Sequence, residues 1–315
     1  MDNNKPLKAH LSMFTACDIW GLMAPVGKDA MLHGIDGISM VSFRVAGGAL
    51  LFWLLAACQS LWKGRSAESE EPVPLRDKLK FAAAAVFGLV CNQCCFTIGL
   101  SYTSPANASI VTTSMPIFAM LLSFLILHEP ITWKKAGGVA VGCMGALTLI
   151  LTSAAAADAR VGDLRGDLMV LGAQLSYALF LSLFNPFVRK YSVVTVNKWM
   201  FLWATLIIWP FTGLHVAAIP FAEIAMKTWM EVLYVVIFGT FVGYILIVNA
   251  QKVLRPTVVS IYNYVQPLVS VTVSVLTGIG VFKPLQGLAV LLVFLGVWMV
   301  TKSKSRRDLQ AEETA

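Results

Sequence analysis

Charged residues are scarce in this chain, and their scarcity excludes a soluble globular protein. Only 13% of the 315 residues are Asp, Glu, Lys or Arg, against the roughly 25% that is usual in soluble domains. The shortage extends along the whole sequence, 57% of the residues are hydrophobic, and the mean hydropathy is +0.74. No soluble core could bury so much apolar surface, so we expect the surrounding solvent to be lipid.

Metal-ligating and nucleophilic residues are also few. The four histidines all fall at the ends of apolar runs or in connectors: His10, His33, His128 and His215. The segment from Cys91 to Cys95 contains three cysteines, but no second cysteine pair or intramembrane histidine completes a set of four zinc ligands. No serine–histidine or paired-aspartate arrangement lies in the apolar runs. We predict no metal, no cofactor and no enzyme activity, and keep a membrane-embedded enzyme or a sensor as the alternative.

The positive charges are unevenly distributed, which predicts an orientation in the membrane. The net charge of +7 does not indicate nucleic acid, because the basic residues lie in short connectors between apolar runs. With the N-terminus inside, 18 of the 24 Lys and Arg residues are on the inner side, five are outside and Arg44 lies within a run. This asymmetry predicts that both termini are cytoplasmic, and the compact loops and short tail suggest a bacterial inner membrane. The expected partners are the lipid bilayer and a small-molecule substrate.

Ten apolar runs are each long enough to cross a bilayer, which takes about 20 residues of helix. They lie near residues 9–31, 36–62, 79–100, 104–127, 133–152, 167–189, 194–215, 228–251, 256–278 and 284–302. The connectors between them are short, and the longest, residues 63–78, is polar. The sequence therefore predicts an all-α membrane protein of ten transmembrane helices, followed by a charged cytoplasmic tail over residues 303–315.

The chain resembles itself at an offset of 151 positions. Prolines and glycines, which fix kinks and close contacts, carry the similarity: Phe87-Gly88 matches Phe238-Gly239, Pro105 matches Pro256, Pro116 matches Pro267 and Gly145 matches Gly296. The first and sixth runs align at 161 positions, with Lys28 over Arg189. Because five helices is an odd number, the second copy enters from the opposite side. We predict two inverted five-helix repeats, residues 9–152 and 167–302, around a central cavity.

Several short motifs within residues 9–302 carry a further resemblance. They are Ala16-Cys17-Asp18-Ile19-Trp20-Gly21, Phe43-Arg44, Ala106-Asn107-Ala108-Ser109, Pro116-Ile117, His128-Glu129-Pro130-Ile131-Thr132 and the glycine-rich stretch from Gly137 to Gly145. Together they resemble the EamA branch of the drug/metabolite transporter superfamily. The glutamate-proline motif is the most specific of them, and its counterpart in the second half, Gly280-Val281-Phe282-Lys283, departs from it.

The resemblance implies a ten-helix basket in which helices 1–4 and 6–9 surround the cavity and helices 5 and 10 lie at the periphery. It also implies a secondary transporter that moves small metabolites, such as amino acids, nucleobases or vitamins, often outward. Inverted repeats allow a central site to open to each side in turn by alternating access.

Two charged residues within the runs are candidate coupling or binding residues. Asp18 lies about 15 Å along the first helix from Lys8, where a charged carboxylate costs about 2.5–3.5 kcal/mol. It is either a proton, cation or substrate-amine site, or a structural ion pair or protonated, hydrogen-bonded group. Arg44 either extends outward to the interface, pairs with Asp18, or binds a substrate carboxylate.

Polar residues of the ninth helix are predicted to line the cavity. Tyr262 and Gln266 are four residues apart and so share a helical face, with Asn263 adjacent. Five weaker candidates lie on other helices: Trp20, Asn92, Gln93, Gln174 and Tyr177. For these residues the alternatives are hydrogen bonds between helices or core packing.

Overall fold

The computed structural model describes residues 5–63, 73–103, 105–152, 164–276 and 284–304. Within these ranges it contains helices and no strand. In chain order the helices are α1, Lys5–Leu32; α2, Gly37–Lys63; α3, Leu75–Tyr102; α4, Pro105–Thr112 and Met115–Leu127; α5, Trp133–Thr152; α6, Leu164–Lys190; α7, Val193–Ala217; α8, Met226–Val253; α9, Pro256–Ile261, Tyr262–Tyr264 and Val265–Leu276; and α10, Pro284–Thr301.

Eight of these helices, α2 to α8 and α10, are long and apolar enough to cross a membrane among the described residues. The predicted all-helical membrane class is therefore confirmed, whereas the count of ten spans stays a prediction. The two remaining helices have clear distinguishing features. α1 carries several charged side chains, and α9 is divided into short segments and ends at Leu276, beside residues outside the described ranges. Of the predicted tail, only Ser303 and Lys304 are described.

α4 and α9 are interrupted one turn before a proline. Pro116 and Pro267 lack an N–H, so the carbonyls four residues earlier, at Thr112 and Asn263, lose their α-helical donors. The first part of α4 ends at Thr112, and α9 tightens into a 3₁₀ turn over Tyr262–Tyr264. The two prolines, which the predicted repeat places at matching positions, thus interrupt α4 and α9.

α3 and α8 each contain a π-helical stretch, Val86–Cys91 and Val235–Val242 respectively. In a π-turn the backbone hydrogen bonds join residues five apart and not four, and such turns are frequent at functional sites. In α3, the Phe87 carbonyl accepts a hydrogen bond from Ser176 Oγ of α6 at 2.8 Å. In α8, the Gly239 carbonyl accepts one from Trp20 Nε1 of α1 at 2.8 Å. The first helix of each predicted half is thereby attached to the third helix of the other half.

Cationic side chains bind the carbonyl ends of α3 and α8. Lys28 of α1 donates three hydrogen bonds to the end of α3, and Arg189 of α6 donates two to the end of α8. The acceptors of Lys28 are the carbonyls of Leu100 (2.7 Å), Ser101 (3.0 Å) and Thr103 (3.2 Å); those of Arg189 are the carbonyls of Gln251 (3.3 Å) and Leu254 (2.9 Å). A cation at a helix C-terminus satisfies free carbonyls and opposes the negative end of the helix dipole.

α5 and α10 pack closely through glycines. A Cβ atom built on Gly296 of α10 would lie 2.6 Å from the Gly142 amide nitrogen and 2.7 Å from the Gly138 carbonyl oxygen, both on α5. Backbone atoms cannot yield as a flexible side chain can, so this approach requires glycine. Small residues permit such close contacts between membrane helices.

Gly296→Ala is therefore expected to lower the free energy of unfolding of the purified protein by about 1–3 kcal/mol, the usual cost of overpacking a tightly packed core. The melting temperature should fall accordingly. Gly172→Ala on α6 is the matched control, because nothing lies within 4 Å of its added Cβ. Thermal unfolding in detergent, followed by intrinsic fluorescence, compares the two variants. Equal melting temperatures would contradict the described contact between α5 and α10.

Candidate functional site

A cavity that is partly open to solvent, with about 540 Å³ of space when the open part is included, lies among the helices, and both halves of the chain contribute polar and apolar side chains to its walls. The residues that line it are Trp20, Met23, Arg44, Asn92, Phe96, Thr112, Gln174, Tyr177, Tyr244, Asn263 and Gln266. Seven of the ten residues predicted from sequence are among them: Trp20, Arg44, Asn92, Gln174, Tyr177, Asn263 and Gln266. None of the described lining residues belongs to α5 or α10.

Arg44 of α2 is buried at the cavity wall, with 4% of its surface exposed. Its Nε donates to Thr240 Oγ1 at 3.2 Å and its Nη1 donates to Thr97 Oγ1 at 3.1 Å. The Thr240 hydroxyl donates in turn to the Val235 carbonyl at 2.9 Å, so its oxygen is oriented to accept from Arg44. Arg44 thus does not extend to the membrane interface, because threonines from α3 and α8 hold it inside.

Trp20 is fixed at another part of the wall by the π-helical stretch of α8. Its indole donates to the Gly239 carbonyl, and its ring meets the ring of Tyr244 edge-on, with centroids 5.9 Å apart. Tyr244 also accepts a hydrogen bond from Gln93 Nε2 at 3.2 Å. The aromatic side of the cavity is therefore held rigidly by contacts between α1, α3 and α8.

The 3₁₀ turn in α9 determines which of its residues line the cavity. In a 3₁₀ turn, residues three apart are aligned, and Asn263 and Gln266 both line the cavity, with Gln266 Nε2 donating to Asn263 Oδ1 at 3.0 Å. Tyr262, expected to share a face with Gln266 on a regular α-helix, is not a lining residue. Its hydroxyl is instead 2.8 Å from Nδ1 of His10 on α1.

Amide and hydroxyl groups from α3, α4 and α6 complete the lining. Asn92 Nδ2 donates to the Ala173 carbonyl at 2.9 Å, and Gln174 Nε2 lies 3.5 Å from Thr112 Oγ1. The Tyr177 hydroxyl accepts from Gln251 Nε2 at 3.0 Å. These bonds leave other amide and hydroxyl atoms of the same side chains available to a solute.

Asp18, Gln93 and Tyr262 are outside the lining. Asp18 is half-buried on α1, two residues before Trp20 and five before Met23, which places it about 140–160° around the helix from both. Asp18 makes no ion pair with Arg44, whose bonds are to Thr97 and Thr240. Gln93 lies behind Tyr244, to which it donates.

Four lining residues were not among the predicted site residues: Met23, Phe96, Thr112 and Tyr244. Met23 and Phe96 are apolar, and their sequence context resembles that of any core residue. Thr112 and Tyr244 carried a usable signal, because each lies within a few residues of a repeat landmark. No cluster of three or more His, Cys, Asp or Glu side chains suited to a metal is found in the described part of the chain.

Apolar helices long enough to span a membrane, arranged around a cavity of mixed polar and apolar lining, define a multi-pass membrane protein. The chain belongs to the EamA-like transporter family, whose model matches residues 7–151 and 164–302. This match confirms the resemblance inferred from the sequence motifs.

Individual relatives agree with the family assignment. The uncharacterized transporter YetK of Bacillus subtilis is 23% identical over 314 residues, covering 98% of this chain and 92% of that protein. The S-adenosylmethionine/S-adenosylhomocysteine transporter of Chlamydia muridarum is 27% identical over 139 residues, covering 44% of this chain and 41% of that protein. One solved crystal structure, 16% identical, has the same fold with a TM-score of 0.72 and covers 94% of this chain and 98% of its own. Family and relatives point to a transporter, a class that is not enzymatic.

Proposed function

We propose that this protein is a secondary transporter that moves a small metabolite outward across a bacterial inner membrane by alternating access. The cavity, walled by polar and apolar side chains from both halves of the chain, carries the proposal. The solute classes are those that the family resemblance implies: amino-acid-like compounds, nucleobases and vitamins. The outward direction rests on the same resemblance. A proton is the proposed coupling ion, with Asp18 as the candidate carboxylate.

Contacts between matching positions support the ten-span inverted repeat on which alternating access depends. Gln93 and Tyr244 are 151 positions apart and share a hydrogen bond. Thr113 and Tyr264 are also 151 positions apart, and the Tyr264 hydroxyl donates to the Thr113 carbonyl at 3.3 Å. Two copies related by a two-fold axis bring matching residues together where they meet at that axis. We therefore propose residues 9–152 and 167–302 as the two repeats.

Ion pairs link the two proposed repeats at both ends of the cavity. At the proposed cytoplasmic end, Lys190 Nζ lies 2.7 Å from the Asp77 carboxylate, which the Tyr191 hydroxyl also contacts. At the proposed outer end, Lys227 Nζ lies 2.6 Å from the Asp29 carboxylate. The Lys227–Asp29 pair is exposed and so contributes little to stability, whereas Asp77 is buried beneath an exposed Lys190. We propose that the two pairs break and reform in turn as one end of the cavity opens at a time.

Cysteine accessibility tests alternating access before any solute is known. Asn263→Cys, in a background without the native cysteines, is placed in proteoliposomes and treated with a membrane-impermeant thiol reagent from either side. A transporter should be labelled from both sides, and a fixed receptor or enzyme pocket from one side only. The control is Gly172→Cys, which is exposed on the spanning helix α6 away from the cavity. Because we expect lipid to cover that surface, this cysteine should resist the reagent from both sides. Labelling of Asn263→Cys from a single side would contradict alternating access.

The proposed orientation has its own test in loops at opposite ends of the spans. Lys134→Cys, at the start of α5, should react with an impermeant reagent only when it is added from the cytoplasmic side. Glu223→Cys, between α7 and α8, should react only from outside. Both native side chains are exposed, so burial does not complicate the comparison. The opposite pattern would reverse the proposed topology of every helix.

A further inference from the structure

We propose that the cavity selects solutes carrying a single carboxylate, and that Arg44 binds that carboxylate. The inference rests on the proposed transport function and adds the substrate class to it. It follows from the unused donors of Arg44, from the charges of the cavity lining, and from the side chains that face the rest of the solute.

Arg44 retains donors after its bonds within the protein are made. A guanidinium has five N–H donors in a planar fork. The bonds to Thr240 and Thr97 use Nε and Nη1, and Nη2 makes no hydrogen bond to any described residue. Because the two threonines hold the stem and one side of the fork, the remaining donors are fixed in direction. A fixed guanidinium edge matches the two oxygens of a carboxylate.

The charge of Arg44 is not neutralised by the lining. Among the described lining residues, Arg44 is the one formal charge, and no Asp or Glu is present. Both threonine partners are neutral, and none of the ion pairs among the described residues includes Arg44. A buried cation is normally paired with an anion, and here the anion that completes the pair is supplied by the solute.

One cation without a second basic group favours a monoanion. A phosphate monoester carries nearly two negative charges at neutral pH, and the part of the lining that the structure describes offers no lysine, histidine or second arginine to balance them. A cationic solute lacking an anion would meet Arg44 without any acidic residue to offset the repulsion. The charge of the lining thus favours carboxylates over both phosphate monoesters and cationic solutes.

The rest of the cavity fits an organic body with polar substituents. Trp20, Phe96, Tyr177 and Tyr244 present ring surfaces, which suit an aromatic or aliphatic group. Asn92, Gln174, Asn263 and Gln266 present amides that both donate and accept hydrogen bonds. A carboxylate attached to a planar or branched body with hydroxyl, amide or amine groups satisfies all of these surfaces together.

The test uses wild-type proteoliposomes incubated with a bacterial small-molecule extract, followed by mass spectrometry of the compounds retained relative to protein-free liposomes. We expect the enriched compounds to be carboxylates. Conversion of the carboxylates in the extract to methyl esters should remove the enrichment. Arg44→Gln should reduce retention of the same compounds by about tenfold or more, the effect of losing a hydrogen-bonded charge partner. Lys134→Gln, which removes an exposed positive charge outside the cavity, should not change it.

The outcomes separate the two proposals. Enrichment of neutral compounds or phosphate monoesters by the wild type would overturn the carboxylate inference and leave transport standing. Enrichment that persists after esterification would also overturn the carboxylate inference, and this test does not depend on the folding of any variant. No enrichment above protein-free liposomes would contradict the transport function itself. Arg44→Lys, which keeps the charge but not the planar fork, should retain the carboxylates partly, and equal retention of carboxylates and neutral compounds by it would count against Arg44 as the selecting group.

Discussion

Lys28→Met is expected to lower the free energy of unfolding by about 2–3 kcal/mol, because it strands carbonyls that a charged donor now satisfies. Lys28 Nζ donates to three carbonyls at the end of α3. Methionine keeps much of the length of the side chain and removes only its donors and charge. The measurement is the melting temperature of the purified protein in detergent, at one protein concentration and one heating rate.

The proposed repeat supplies a matched control in which the cations of the two halves are exchanged. Arg189 occupies the corresponding position of the second half and binds the corresponding end of α8. Lys28→Arg and Arg189→Lys should therefore remain close to wild type in melting temperature, since either cation can donate hydrogen bonds to the carbonyls at a helix end. Lys28→Met with unchanged stability would show that water replaces the lysine donors. A large loss in Lys28→Arg would argue against the equivalence of the two positions.

The landmarks of the fold were accessible from the sequence because they depend on local chemistry. Proline lacks an N–H wherever it stands, so Pro116 and Pro267 mark the interrupted helices without any tertiary information. Glycine pairs such as Gly145 and Gly296 mark close approach for a similar reason. The π-helical stretches in α3 and α8 were not predicted. Their carbonyls are used by Ser176 and Trp20, residues of distant helices, so nothing within the local sequence reports them.

The candidate site was partly predictable for a related reason. A polar residue in an apolar run must face protein or water, which singled out Asn92 and Gln174. The same rule does not state which internal face a polar residue occupies, and Gln93 bonds Tyr244 behind the lining. Arg44 needed tertiary information, because the threonines that hold it come from two other helices. Which residues of α9 face the cavity depends on the 3₁₀ turn, and because of that turn Tyr262 contacts His10 and does not line the cavity.

Asp18 is the candidate residue whose possible roles the structure narrows most. A structural ion pair with Arg44 was one of its open interpretations, and the two residues are not paired. No hydrogen-bond or ionic partner contacts the Asp18 carboxylate among the described residues. It also lies on the face of α1 turned away from Trp20 and Met23, so a direct contact with a solute in the cavity is not favoured. The remaining functional interpretations are a proton site or a cation site, of which we propose the proton site.

Asp18→Asn is therefore expected to abolish accumulation driven by a proton gradient and to leave solute exchange close to wild type. Asparagine keeps the size and polarity of the side chain, whereas it cannot take up or release a proton during the cycle. The compounds that wild-type proteoliposomes enrich are measured with and without an imposed pH gradient, and their exchange is measured with no gradient. Glu223→Gln, which removes an exposed acid between α7 and α8, is the control that should keep both activities.

The melting temperature of Asp18→Asn should stay close to that of the wild type. Asp18 has no ionic partner among the described residues, so the substitution strands no buried charge, as breaking a buried pair would. Gradient-driven accumulation at the wild-type level in Asp18→Asn would remove the coupling role from this residue.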